Sequence, residues 1–334
     1  MLITVDTGST NMRCRLFDGT TLLDEVKRGV GVRNTAFDGN NQKLKDGLRE
    51  LCQTLIARNG ITEGDVEAII SVGTLASDVG IYHVPHAPAP IGYRESAQNA
   101  RMVTLPEILP IPILFIPGVK VVPRGDESLF GAIATMDSMS GEDCEAFGIM
   151  EQMGLTGDFV MALPGSYNKV LEIDEKGRVA SFKTGMCGEF LTSVGEHTLL
   201  KHSLPSPIIR EILPKPLCLG YDHAAEYGIS PSLIKARFVQ IHGGWTADEA
   251  ANFYVGAALY DDIRLILRAR KEGQRLFIGG GNPLRHIFML LLAHAGVTDA
   301  VEISDEQARL APAIGAMKVY RAYLERKAAE GREI

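Results

Sequence analysis

The sequence is poor in the features that commit a chain to a membrane, to nucleic acid or to an oxidising compartment. Its five cysteines, Cys14, Cys52, Cys144, Cys187 and Cys218, are scattered, odd in number and never spaced as a CxxC pair. Neither a disulfide framework nor a zinc site is indicated. Basic residues are in the minority: 34 Lys and Arg stand against 41 Asp and Glu, for a formal charge of −7. That balance argues against non-specific attachment to nucleic acid or an anionic bilayer. The most apolar late run, residues 287–297, is too short to span a bilayer and contains His294. A strand-like run begins at Leu2 with no basic segment before it, so no secretory leader is expected and a cytoplasmic protein is. The sequence also lacks a GxxxxGK[ST] loop, a GxGxxG after a strand, HRD, DFG, GxSxG and HExxH. Those absences remove the P-loop, Rossmann, protein-kinase, hydrolase and zinc-protease readings.

What is present is a chain of 334 residues that is 46% hydrophobic, more than one ordinary core takes up. Two lobes are expected, residues 1–134 and 135–334. Residues 2–5 read as an apolar strand and 13–17 as a half-buried one, joined by Asp6-Thr7-Gly8-Ser9-Thr10-Asn11. Asp18-Gly19 is a hairpin signal, and 22–26 returns as a third strand. Residues 44–58 carry Leu44, Leu48, Leu51, Leu55 and Ile56 on one side of a helix, and 66–72 form a buried strand. Residues 84–123 are rich in proline, show no clear period and read as loops. A second segment echoes the first: strand 159–163, then Gly165-Ser166-Tyr167-Asn168, strand 169–173, and a turn at 174–177. The shared order points to an internal duplication, two copies of one α/β lobe facing across a cleft. A strand at 276–278 enters Gly279-Gly280-Gly281-Asn282. A helix over 284–294, a strand at 301–304 and a helix over 312–327 follow.

The Asp6 turn has the parts that phosphoryl transfer needs. Gly8 lets backbone approach an anion, Ser9, Thr10 and Asn11 add short donors, and Asp6 is a hard oxygen ligand for Mg²⁺. The same residues also make an ordinary hairpin turn. Gly165, Ser166, Asn168 and Lys169 supply donors on a second hairpin, and Gly279, Gly280 and Gly281 leave bare backbone for the flat face of an adenine. A tight strand-to-helix turn accounts for a glycine run equally well.

Asp6 to Asn11, with Thr7 inside it and Arg13 after it, looks like the first phosphate motif of the actin/hexokinase-type sugar kinases. The chain more closely resembles the 2-dehydro-3-deoxygalactonokinase family, through residues 5–13, 73–85, 116–131, 163–169 and 186–200 in the family's order. The resemblance implies an α/β fold of two ribonuclease H-like lobes, mixed sheets flanked by helices, with a cleft between them. It implies ATP and Mg²⁺ as cofactors and a small sugar acid as substrate. It also implies that Asp126, in Gly125-Asp126-Glu127-Ser128-Leu129-Phe130-Gly131, is the general base, although by itself Asp126 reads as a helix cap. A carboxylate substrate calls for guanidinium groups, for which Arg94 and Arg124 are candidates. Ser77, Asp78 and His83 complete the expected substrate set.

Three departures from the family's pattern bear on the substrate. Asp78 stands where the family carries an arginine, His83 where it carries a glutamate, and Tyr167 interrupts the second hairpin. The expected reaction is phosphorylation of 2-dehydro-3-deoxy-D-galactonate to the 6-phosphate. The alternatives are a kinase of another small sugar acid or ketose, and a non-catalytic nucleotide-binding sensor on the same fold. Neither a nucleic-acid partner nor a membrane is expected, and a homodimer is the assembly left open.

Overall fold

The computed structural model describes residues 1–123 and 125–331. It divides into two compact units, each built from separate stretches of chain. The first comprises Met1–Gly157, Asp174–Ser181 and the described part of Glu306–Ile334; the second comprises Asp158–Ile173 and Phe182–Asp305.

The first unit begins with a meander of β1 (Leu2–Thr7), β2 (Met12–Asp18) and β3 (Thr21–Arg28), turning at Gly19, whose φ of +58° suits glycine. Next come α1 (Val32–Asp38), α2 (Gln42–Arg58), β4 (Ala68–Gly73), β5 (Ala87–Pro88) and α3 (Tyr93–Asn99). Then follow β6 (Arg101–Leu105), β7 (Leu109–Phe115), β8 (Val119–Val121), α4 (Leu129–Thr135), β9 (Asp137–Met139) and α5 (Glu142–Met153). Six strands form one sheet in the order β3-β2-β1-β4-β7-β6, and β5-β8-β9 form a small second one. β1 runs antiparallel to β2 and parallel to β4, which sets Asp6 opposite Arg13 and Val72. Because side chains alternate across a strand, Ile3 and Val5 share a core with Leu44, Leu48, Leu51 and Leu55 of α2. Thr4 and Asp6 then lie on the opposite face.

The proline-rich stretch corrects the sequence expectation, since 84–123 contains β5 to β8 and not only loops. Pro110 and Pro112 hid the alternation of Leu109, Ile111, Ile113 and Phe115, all buried. They are tolerated because β7 pairs with β4 only over 113–115, so no ladder bond on that side is lost.

The second unit holds β10 (Phe159–Leu163), β11 (Asn168–Ile173) and the later part of β12 (Val179–Gly185). Helices α6 (Cys187–His197), α7 (Pro214–Tyr227), α8 (Ile229–Gly243), α9 (Ala247–Ala258) and α10 (Tyr260–Ala269) come next. The unit closes with β13 (Leu276–Ile278), α11 (Leu284–His294) and β14 (Val301–Glu302). The sheet order is β12-β11-β10-β13-β14, with β10 antiparallel to β11 and parallel to β13. That repeats the β3-β2-β1-β4 arrangement of the first unit. The last helix, α12 (Asp305–Ala329), starts seven residues earlier than expected, with Pro312 inside it. The helix formers Glu306, Gln307, Arg309, Leu310 and Ala311 carry it up to the proline.

No helix among the described residues is long and apolar enough to cross a membrane. All five cysteines are free thiols, and four of them are buried.

Candidate active site

The Asp6 turn is built so that its carbonyls face away from the space above it. Gly8 O accepts from Val32 N at 3.3 Å and Ser9 O from Arg33 N at 3.0 Å, which ties the turn to the start of α1. That tie requires Gly31, because a Cβ there would run into the backbone of Ser9 and Gly8. On the other side, a Cβ at Gly73 (φ +85°) would run into Thr7 O. Gly8 differs from both. A Cβ on Gly8 would meet nothing, so the fold itself does not demand glycine there. Gly8 N donates to Asn11 O at 3.0 Å within the turn, so what the missing side chain leaves is room for an anion to come close to the turn. Burial raises the pKa of Asp6, opposed by the guanidinium groups of Arg15 and Arg13 and reinforced by Glu142.

The second turn has the same construction. Gly165 O accepts from Gly188 N at 3.1 Å and Ser166 O from Glu189 N at 2.8 Å, which ties the turn to the start of α6. A Cβ at Gly188 would come within 2.7 Å of Gly165 O, and one at Gly280 (φ +70°) would run into Pro164 O. Gly165 itself has only an ordinary contact at 3.5 Å. So Gly31 corresponds to Gly188, Gly73 to Gly280 and Gly8 to Gly165. Lys169 is buried and its ammonium donates to Thr184 Oγ1 at 2.7 Å. Gly279 N donates to Ala162 O, and Asn282 is held by Asp305, with its Oδ1 accepting from His286 N. Next to this loop a cavity of about 300 Å³ is walled by Gly188, Leu191, Ile208, Pro283 and Leu284, with Thr192 and Glu196 as polar groups. That is the lower end of the size range for small-molecule sites.

A model of the family described as 2-keto-3-deoxy-galactonokinase matches residues 6–313. The chain belongs to that family. It is a carbohydrate kinase on the actin/hexokinase-type fold. Among solved structures it is similar to a provisionally assigned 2-dehydro-3-deoxygalactonokinase from Sinorhizobium meliloti, with a TM-score of 0.75, 21% identity and 96% of each chain covered. It is also similar to the activator of 2-hydroxyisocaproyl-CoA dehydratase from Clostridium difficile, solved with ADPNP. There the TM-score is 0.50 and the identity 14%, over 100% of this chain and 98% of the other. No curated protein sequence matches.

Within this galactonokinase-family kinase the other expected residues are dispersed. Ser77 donates from its Oγ to Thr74 O at 2.7 Å, and Asp78 is exposed, accepting from Val79 N. His83 is exposed, close enough to the half-buried His86 to lower its pKa, after the larger effect of burial. Arg94 is a surface residue paired with Glu325 at 3.4 Å and stacked over Tyr93. Arg124 lies outside the described residues. Asp126 is exposed ahead of α4, and the residue that caps that helix is Ser128, whose Oγ accepts from Gly131 N at 3.2 Å.

Two acidic residues beside the first turn were not singled out from the sequence. Gly141 (φ +113°) packs on Gly73, its would-be Cβ 3.1 Å from Gly73 Cα, so the start of α5 sits against the end of β1 and β4. There Glu142 Oε2 accepts from Ser140 N at 3.0 Å and Asp143 Oδ1 from Gly141 N at 3.2 Å. Asp143 is fully buried, and burial together with Glu142 pushes its pKa up to about 7. A signal was available. Gly141-Glu142-Asp143, like Gly125-Asp126-Glu127, sets two acids after a glycine and before a helix.

Proposed function

We propose that the protein phosphorylates 2-dehydro-3-deoxy-D-galactonate at its 6-hydroxyl, with ATP as donor. The observation that carries this reading is the matched pair of turns. In both, two carbonyls are tied back and the conformationally unforced glycine, Gly8 or Gly165, leaves room where a side chain would stand. We assign phosphate contacts to Asp6, Thr7, Gly8, Ser9, Thr10 and Asn11, and to Gly165, Ser166 and Lys169. The adenosine is assigned to the cavity beside Gly279, Gly280, Gly281 and Asn282, whose apolar walls suit a stacked base. Magnesium fits the first turn. Asp6 is a hard oxygen donor, and Glu142 adds negative charge beside it that a divalent cation relieves. Among the described residues no three acidic or histidine groups could hold it unaided, so phosphate oxygens and water would complete its shell. When bound, the ion neutralises charge on the phosphates.

The substrate hydroxyl attacks the γ-phosphorus as the bond to the β-phosphate oxygen breaks, and its proton passes to a carboxylate. Asp126 is the residue that the family motif nominates. A second reading assigns the role to Glu142 at the start of α5, which stands beside the Asp6 turn and, unlike the buried Asp143, is partly accessible. Ser77, Asp78, His83, Arg94 and Arg124 remain the proposed substrate set, with Asp78 and His83 as the positions that distinguish this chain.

The test is ADP release with Mg-ATP across 2-keto-3-deoxy sugar acids, plain aldonates and ketoses. Turnover on 2-dehydro-3-deoxygalactonate alone supports the reading, and turnover on another compound moves the substrate name. Nucleotide binding with no turnover anywhere favours the sensor alternative. Comparing Asp126→Asn with Glu142→Gln identifies the base, as the variant that loses turnover while still binding nucleotide.

A further inference from the structure

We infer that Arg285, in the first turn of α11, is a positioning residue for the nucleotide: its guanidinium and its backbone N–H tie back two successive carbonyls of the Gly279-Gly280-Gly281 loop. The inference rests on the reading of that loop as part of the nucleotide site.

The residues involved all belong to the second unit. Arg285 Nη1 donates to Gly280 O at 3.0 Å, and Arg285 N to Gly281 O at 3.1 Å. The loop thus repeats the construction of the two phosphate turns, with a side chain in place of one of the two backbone donors. A carbonyl turned away in this manner does not set its lone pairs against an anion or the face of a base. Asn282 is fixed by the same group. Arg285 Nη2 bonds Asp305 Oδ1, and that oxygen also accepts from Asn282 Nδ2 at 2.9 Å. The loop is therefore held at Gly280, Gly281 and Asn282, just before Pro283 and Leu284 enter the cavity wall. Gly280 in turn lies against Pro164 O, one residue before the second phosphate turn.

Stability alone does not call for a guanidinium at this place. Arg285 is buried, whereas its two acids are not: Glu302, which accepts from Nε at 3.2 Å, is 32% exposed and Asp305 is 80% exposed. Burial strips water from the cation while solvent weakens the attraction it receives, so an apolar side chain of similar bulk would satisfy packing as well. What a guanidinium alone supplies is a rigid fork of donors that reaches a carbonyl and two carboxylates at once. A lysine has the charge without the fork.

The experiment measures, in the full chain, calorimetric affinity for Mg-ADP, KM for ATP and for the sugar acid, Tm, and amide hydrogen exchange over 279–282. Arg285→Met is expected to speed exchange, weaken Mg-ADP and raise KM for ATP by about tenfold, the scale of one lost hydrogen bond to a charged group. KM for the sugar acid is expected to stay unchanged. Arg285→Lys is expected to melt close to wild type and still lose most of the nucleotide affinity, a separation that a merely structural role does not give. Asp305→Ala removes the exposed anchor shared by Arg285 and Asn282. It is expected to speed exchange and weaken Mg-ADP by about threefold, and it decides the matter if the Arg285 variants fail to fold. Wild-type affinity in Arg285→Met or Arg285→Lys, unchanged exchange and affinity in Asp305→Ala, or equal rises in both KM values would overturn the inference. A wild-type protein that binds no nucleotide would sink the nucleotide reading, while exchange in Arg285→Met would still decide whether Arg285 orders the loop.

Discussion

At the scale of single residues, the glycines separate into two kinds that composition does not distinguish. Gly73 and Gly280 have positive φ and no room for a methyl group, whereas Gly8 and Gly165 have room. Gly73→Ala and Gly280→Ala should therefore destabilise the fold by about 1–3 kcal/mol in denaturant titrations. Gly8→Ala and Gly165→Ala should melt like wild type while losing nucleotide affinity. The buried acids carry an opposite trade-off. Asp143 and Asp262 have pKa values raised from 3.8 to about 7 and about 6, chiefly by burial. The native state thus binds protons that the unfolded chain has released, so the neutral forms stabilise fully below the unfolded pKa. That stability is lost as pH rises through about 6 and then about 7. Asp143→Asn and Asp262→Asn should each raise the unfolding free energy at about pH 8 by an amount on the order of 2–4 kcal/mol, seen as a higher Tm, and change little at about pH 4. A calorimetric Tm series against pH checks both. Asp6 follows the same direction, with Arg15 and Arg13 offsetting part of its burial.

At the scale of elements, the start of α5 depends on a helix crossing made possible by two glycines. A Cβ on Gly148 would run into Ala311 O, and one on Gly315 into Cys144 O, so α5 and α12 touch backbone to backbone. Gly148→Val should force them apart, costing about 1–3 kcal/mol and moving Glu142 and Asp143 away from Asp6. Reduced turnover at temperatures where the variant remains folded would confirm that the crossing serves the site. The elements were unevenly legible in the sequence. The β1–β2–β3 meander, α2 and the β10–β11 hairpin announce themselves through alternation, helical spacing and the turns at Gly19 and 174–177. β7 was hidden because Pro110 and Pro112 mark it as loop, and the early start of α12 was hidden because Pro312 looks like a first helical residue. Local rules count such prolines as breaks, while pairing decides whether a lost N–H matters.

At the scale of the whole molecule, ligand linkage is the most direct readout. A native state that binds Mg-ATP should gain about 2.7 kcal/mol at a nucleotide concentration of a hundred times Kd. The corresponding rise in Tm should need both turns and should vanish in a Gly8→Ala, Gly165→Ala double variant. The sequence by itself determined the class of the protein: an acidic chain with no P-loop, a duplicated strand–glycine-turn–strand unit, and the motif order of a galactonokinase-type sugar kinase. It could do so because hydrogen-bonded turns and strand periods are local, written within a few residues. Only the tertiary structure decided that the Glu142 segment lies beside Asp6. It also decided that 306–331 belong with the first unit. Those facts depend on which distant residues share a face and how much water is excluded between them. No spacing along the chain encodes that, because burial and close approach arise only when separate elements pack.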